Sequence, residues 1–150
     1  MAIPKLLVAN ELLDQALRLC YEGESYFAAL HLAGAAQEIF GKTLTSLRLE
    51  SALENHVKVS FRSDKHLGSD GGQVTSEKEV RDEVLFAKNA TKHLDIGRES
   101  SVDFDAQIEA YDLLDHAVSD FNQLADLKLV EETARIRRFN EDVARRGDVP

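Results

Sequence analysis

The stretch Tyr26-Phe27-Ala28-Ala29-Leu30-His31-Leu32-Ala33-Gly34-Ala35-Ala36-Gln37-Glu38-Ile39-Phe40 decides the fold. It is apolar on nearly every side until Gln37 and carries no proline and no strand-like alternation. A helix apolar all round has to be buried all round, so this segment predicts the central helix of an all-α protein. Its small residues, Ala29, Ala33, Gly34 and Ala36, allow a neighbouring element to come close. Glycine inside a helix costs about 1 kcal/mol against alanine, so Gly34 predicts a tight contact. Ser25 stands where an N-cap is needed, and Gly23 where the preceding helix has to end.

Outward from this core the same period repeats. The only prolines are Pro4 and Pro150, so the interior of the chain is free of helix breakers. A first helix is expected from about Pro4 to Tyr21, with Leu6, Leu13, Leu17 and Cys20 as its stripe and Leu12, Ala16 and Leu19 widening it. Residues 43–66 read as irregular helix, and Gly68-Ser69-Asp70-Gly71-Gly72 as a loop. Ser76-Glu77-Lys78-Glu79 has capping-box spacing. The helix it opens, with Val80, Val84 and Ala87 inward, is expected to run to near Gly97. A long helix is expected from Ser101 or Asp103, with Phe104, Ile108, Tyr111, Leu114, Val118 and Phe121 as its stripe. The sum is an all-α, antiparallel four- to five-helix bundle over residues 1–126. A charged C-terminal helical tail over 127–150 follows, its apolar line Ile136 and Val143.

Composition narrows the function classes. The net charge of −9 argues against broad, nonspecific nucleic-acid binding. Six Lys/Arg stand against five Asp/Glu after Ala125-Asp126, so the acidic excess belongs to the first 126 residues. No apolar run approaches a membrane span and no basic-then-apolar leader opens the chain. The single cysteine, Cys20, lies among apolar helix residues, which suits a buried thiol and a cytoplasmic location. A di-metal bundle needs Glu-x-x-His pairs, and none occurs, so neither a metal nor a cofactor is expected. His31, inside the apolar helix, is expected to be a hydrogen-bonded core histidine. His116 is expected to be solvated or interhelical. Lys58, Arg62, Lys65 and His66 read as a solvated basic face.

One segment carries visible chemistry: Lys88-Asn89-Ala90-Thr91-Lys92-His93. It gathers two cations, a carboxamide and an imidazole, the groups that handle a phosphate. In a helix Asn89 and His93 share a face, as do Lys88 and Lys92. Lys88 and His93 are about 140° apart around such a helix, so a second subunit would be needed to bring both onto one ligand.

Together the Tyr26–Glu38 helix and the Lys88-Asn89-x-x-x-His93 segment resemble HEPN-type bundles, whose signature is an arginine, a polar residue, three more residues and a histidine. The late stretch Glu109-Ala110-Tyr111-Asp112-Leu113-Leu114-Asp115-His116-Ala117 is similar to uncharacterised bacterial HEPN-like proteins. The likeness spans roughly residues 8–125. The resemblance implies a homodimer whose signature segments face each other across a cleft. It also implies RNA or nucleotide binding, or an adaptor role beside an antitoxin or nucleotidyltransferase-like partner protein. The alternative it implies is a metal-independent endoribonuclease of toxin or defence type. In that role His93 is the acid/base, Asn89 the orienter, and Lys88, with Lys92, the phosphate-binding cation. The family pattern has arginine where this chain has Lys88. Lysine keeps the charge but loses the planar two-point grip, so binding is expected to outlast catalysis.

Overall fold

The computed structural model of the chain describes residues 2–67, 76–92 and 101–147. Among them every regular element is helical: α1 (Lys5–Glu22), α2 (Tyr26–Ser46), α3 (Ala52–Leu67), α4 (Glu77–Val84), α5 (Phe86–Ala90), α6 (Ala106–Asp126) and α7 (Ala134–Gly147). α2 is the central helix and packs most extensively against α6 and α1, but it is not buried all round as expected: Phe27 and Ala28 are exposed, and Leu32, Ala35 and Ile39 are half-buried. Ala29, Leu30, Ala33, Ala36, Phe40 and Leu44 of α2 meet Leu13 and Leu17 of α1 and Leu114, Phe121 and Leu124 of α6 in one buried cluster. Cys20 is buried there too, and burial pushes its thiol up to about 11.

Three helices stop by the same backbone device. Gly23 at the end of α1 has φ 65°; Glu24 N–H donates to Leu19 O and Gly23 N–H to Cys20 O. Arg48 after α2 (φ 60°) and Lys128 after α6 (φ 59°) repeat that left-handed turn. Leu49 N–H reaches back to Leu44 O, and Leu129 N–H to Leu124 O, as in a Schellman end. α2 therefore runs six residues past Phe40, and the irregular stretch expected after 43 resolves into the end of α2, a left-handed stop and α3.

The helix expected from Ser76 to near Gly97 is two short ones. The Ser76–Glu79 capping box opens α4 as expected. The helix then bends at Leu85 (φ −95°, ψ 2°), and α5 closes at Thr91. The bend keeps Val80 packed on Leu53 and Val57 of α3 while it turns Ala87 and Lys88 onto α2. Gly97 and the loop 68–72 lie outside the described residues.

α6 starts later than expected, at Ala106, because Asp105 is its cap and accepts from the N–H groups of Gln107 and Ile108. Its inward face is Ala110, Leu113, Leu114, Ala117, Val118, Phe121 and Leu124. Ile108, expected inward, is exposed. In α7, Ile136 is buried as expected but Val143 is exposed, and Phe139 takes the inner position. α7 docks on α1 through polar ties as well: Arg135 to Asp14 at 2.6 Å, Thr133 Oγ1 donating to Asp14 at 2.7 Å, and Tyr21 hydroxyl donating to Asp142 at 2.9 Å. No helix of the described residues is long and apolar enough to cross a membrane.

Candidate functional site

α5 lies across α2, and its position is set by Gly34. A Cβ at Gly34 would stand 2.4 Å from Lys88 Cδ and 3.1 Å from Leu113 Cδ2. The tight contact that glycine predicts is therefore made by the stem of Lys88, one of the signature cations. Lys88 is only 7% exposed. Its methylenes cover α2 while Nζ emerges 3.7 Å from Glu38 Oε2. Burial first, then neighbouring Lys92, holds the Lys88 amine below the usual lysine range, with Glu38 opposing.

Glu38 collects more than one cation. Lys42 donates to it at 2.7 Å, one turn on along α2, and Lys92 is close enough to act on its charge. The Lys42 hydrogen bond is the largest of the effects that hold the Glu38 carboxyl below its ordinary range. His31, two turns back on the same face of α2, pairs through Nε2 with Thr91 Oγ1 at 2.8 Å. The Thr91 hydroxyl also lies within hydrogen-bond reach of Ala87 O and Lys88 O, which ties the end of α5 to α2. Burial, then Lys92 and Lys88, lowers the His31 pKa, so its ring is neutral near pH 7. Beside this cluster a groove of about 480 Å³ is lined by Lys5, Ala35, Glu38, Ile39, Lys42, Thr43 and Ser46.

Of the residues singled out in the sequence, Lys88 and Lys92 thus come to one place, joined by His31, Glu38 and Lys42. Asn89 is exposed on α5. α5 ends at Ala90, and Thr91-Lys92 form a turn. His93 lies outside the described residues. His31 is hydrogen-bonded, as expected of it, but it is half-buried beside the lysines rather than in the core, and its partner is Thr91 of the signature segment. The basic face before the loop is tied in part to acids: Lys58 pairs with Glu50 at 2.9 Å. The side chains of Lys65 and His66 lie outside the described residues.

At the other end of α5 three phenyl rings meet edge to face: Phe86 with Phe104 at 6.3 Å between centres, and Phe104 with Phe27 at 6.0 Å. Phe86 is 58% exposed and Phe27 46%. Nothing in the local sequence marks them as neighbours; Phe104 escapes α6 only because the cap falls at Asp105.

A second polar cluster lies between α3, α4 and α6, where His116 Nε2 and His56 Nδ1 are hydrogen-bonded at 3.2 Å. The chain matches no family model, no curated protein and no solved structure.

Proposed function

We propose that this chain is an HEPN-like antiparallel bundle that works in the cytoplasm as a homodimer and binds a phosphate-bearing ligand, RNA or a nucleotide, on the face shared by α2 and α5. One observation carries the reading. Lys42, Lys88 and Lys92 gather around a single carboxylate, Glu38, in a chain whose net charge is −9. Like charges repel unless something of opposite sign joins them, and one carboxylate leaves this cluster with a positive excess. Lys42 and Lys92 are exposed, and Lys5 borders the same groove. A phosphate is the ligand such a cluster suits.

Binding is favoured over cutting. A cation that neutralises a phosphorane-like transition state has to reach the phosphate oxygens. The Lys88 stem is held against Gly34 and its amine faces Glu38. A lysine also presents one point of charge where arginine presents a fork. An adaptor role beside an antitoxin or nucleotidyltransferase-like protein is compatible with the same face.

The test is fluorescence anisotropy with labelled single-stranded RNA and with a labelled nucleoside triphosphate. Lys42→Ala with Lys92→Ala is expected to weaken binding about tenfold or more and to flatten its salt dependence. Glu38→Gln is expected to tighten binding, because it removes the competing anion. If neither probe binds, or the lysine pair is indifferent, the reading falls. RNA cleavage that survives chelators and disappears in His93→Ala puts the metal-independent endoribonuclease in its place.

A further inference from the structure

Among the described residues α3 and α4 have an apolar core of their own. Leu53 and Val57 of α3 meet Val80 of α4, with Val84 and Leu85 packed against them. The larger core belongs to α1, α2, α6 and α7, with Ala87 of α5. Arg81 of α4 braces Glu54 of α3 at 2.7 Å, so α3 and α4 form a lobe beside the main bundle.

α6 holds this lobe through polar contacts. At the foot of α3, Asp120 accepts from Ala52 N–H and Gln123 Nε2 donates to Glu50 O. One turn further along α3, His56 Nδ1 and His116 Nε2 are hydrogen-bonded at 3.2 Å. Beside that pair a cleft of about 650 Å³ parts the lobe from α6. Among the described residues its charged walls are Glu83 of α4 and Glu109, Asp112 and Asp115 of α6, and Arg146 of α7 acts on Asp115. Acids on opposing walls push the lobe outward, and the histidine bond works against that repulsion.

This bond belongs to one protonation state. Two neutral imidazoles can pair because one donates an N–H to the bare nitrogen of the other. His116 Nδ1 is buried without a protein hydrogen-bond partner. A buried bare nitrogen is tolerated better than a stranded N–H, which assigns the His116 proton to Nε2, donating to His56 Nδ1. A proton added to His56 fills the accepting nitrogen, and the bond then survives only if the His116 proton moves to Nδ1. A proton added to His116 goes to Nδ1 directly. Either the bond is lost or an N–H is stranded in a buried position. Burial, then His56, lowers the His116 pKa against the pull of Asp112.

We propose that the His56–His116 pair is an acid-released latch: the neutral pair holds the α3–α4 lobe on α6, and its protonation lets the lobe open while the α1–α2–α6 core stays folded. The sign follows from linkage. A folded pKa below the unfolded one gives a contribution that is complete above the ordinary histidine value of about 6.5 and is lost as pH falls below it. Asp120 keeps an acceptor for Ala52 N–H in either protonation state, so the foot of α3 stays tied. α4 leads into α5, so opening also loosens the segment that carries Lys88 and Lys92. The latch does not depend on what the α2–α5 face binds.

Hydrogen exchange of the full chain at pH 7.5 and pH 5.0, with each rate divided by the intrinsic rate at that pH, reads the latch. Amides of α3 beyond its first turn and of α4 are expected to lose protection about tenfold or more at pH 5.0, while interior amides of α1, α2 and α6 keep theirs. His116→Gln puts a carboxamide near the Nε2 position. Its NH₂ donates to neutral His56 and, turned over, its oxygen accepts from the protonated ring. The lobe of that variant should be protected equally at both pH values. In wild type at pH 7.5 the ring ¹⁵N signals should show His116 protonated at Nε2 and bare at Nδ1. Equal lobe protection at the two pH values in wild type, the same loss in His116→Gln, or a His116 proton on Nδ1 at pH 7.5 overturns the proposal.

Discussion

Gly34 and Lys88 are 54 positions apart, and each explains the other. A glycine there forgoes about 1 kcal/mol of helix propensity, and the space it leaves is filled by the lysine stem. Gly34→Ala is therefore expected to destabilise the protein by roughly 1–2 kcal/mol in spite of the propensity gain, since overpacking a tight contact costs about 1–3 kcal/mol. Lys88→Ala should recover much of that loss, leaving only the Leu113 contact. A double-mutant cycle by urea unfolding measures the coupling; none would mean the stem does not lie on Gly34. Asp120 offers a second residue-scale test. It is 0% exposed, caps α3 by accepting from Ala52 N–H at 2.6 Å, and leaves Oδ2 without a hydrogen-bond partner. Burial pushes its carboxyl up to about 6, against the Ala52 N–H and the neighbouring Gln37 amide. A folded pKa above the unfolded value favours the protonated form in the fold. Its contribution is complete below the ordinary aspartate range and is lost as pH rises through 6. Between pH 5 and pH 8 wild type should lose about 1 kcal/mol from this group. Asp120→Asn, which keeps an acceptor for Ala52 N–H, should gain on wild type by that amount over the same interval in denaturant melts. Parallel pH profiles for the two proteins would refute the assignment.

Among the elements, α7 has a consequence for stability. Its sequence is charged and only Ile136 and Phe139 are buried, yet both belong to the core that α1, α2 and α6 share. Phe139 also stacks on Tyr111 of α6, and Asn140 exchanges a pair of amide hydrogen bonds with Asn122. Phe139→Ala is expected to cost about 3–5 kcal/mol and to lower the Tm of the whole protein in a single transition. A separate early transition that leaves the main melt unmoved would mean that α7 is an appendage. The helices show what sequence alone makes readable. Gly23, Ser25 and the Ser76–Glu79 box announce their helix ends because glycine and hydroxyl residues have specific backbone roles. Arg48 and Lys128 end helices in the same geometry and announce nothing, because the left-handed turn is closed by backbone hydrogen bonds alone and neither residue type favours it. The break at Leu85 is equally silent: no glycine or proline stands there, and only the competing pull of α3 and α2 explains it. For the site, the cations Lys88 and Lys92 were readable from one short segment. Glu38, Lys42 and His31, which decide what those cations can do, were not, since they are joined to the segment only by the crossing of α2 and α5. His56 and His116, 60 residues apart, gave no spacing to read.

For the whole molecule the open quantity is its assembly. Phe27 and Phe86 leave much of their rings in water, and Ile108, one turn after Phe104, is 58% exposed. Apolar side chains gathered on one surface mark an interaction site more often than scattered ones do. This one is continuous with the signature segment, since Phe86 precedes Asn89 by one turn of the same short helix. A two-fold axis through the phenyl rings would set two copies of α5 side by side and give one composite face two sets of Asn89 and Lys92. Light scattering at tens of micromolar is expected to give twice the 16.7 kDa chain mass. Phe86→Asp, which adds charge at an exposed position, should return the chain to 16.7 kDa with little change in Tm. Salt should separate the two associations. Each copy carries a net charge of −9, so raising ionic strength screens their repulsion and tightens the dimer. The same salt weakens any contact between the lysine cluster and a phosphate. A wild-type mass of one chain at both low and high salt removes the composite face, and the α2–α5 site then has to bind with the groups of a single copy.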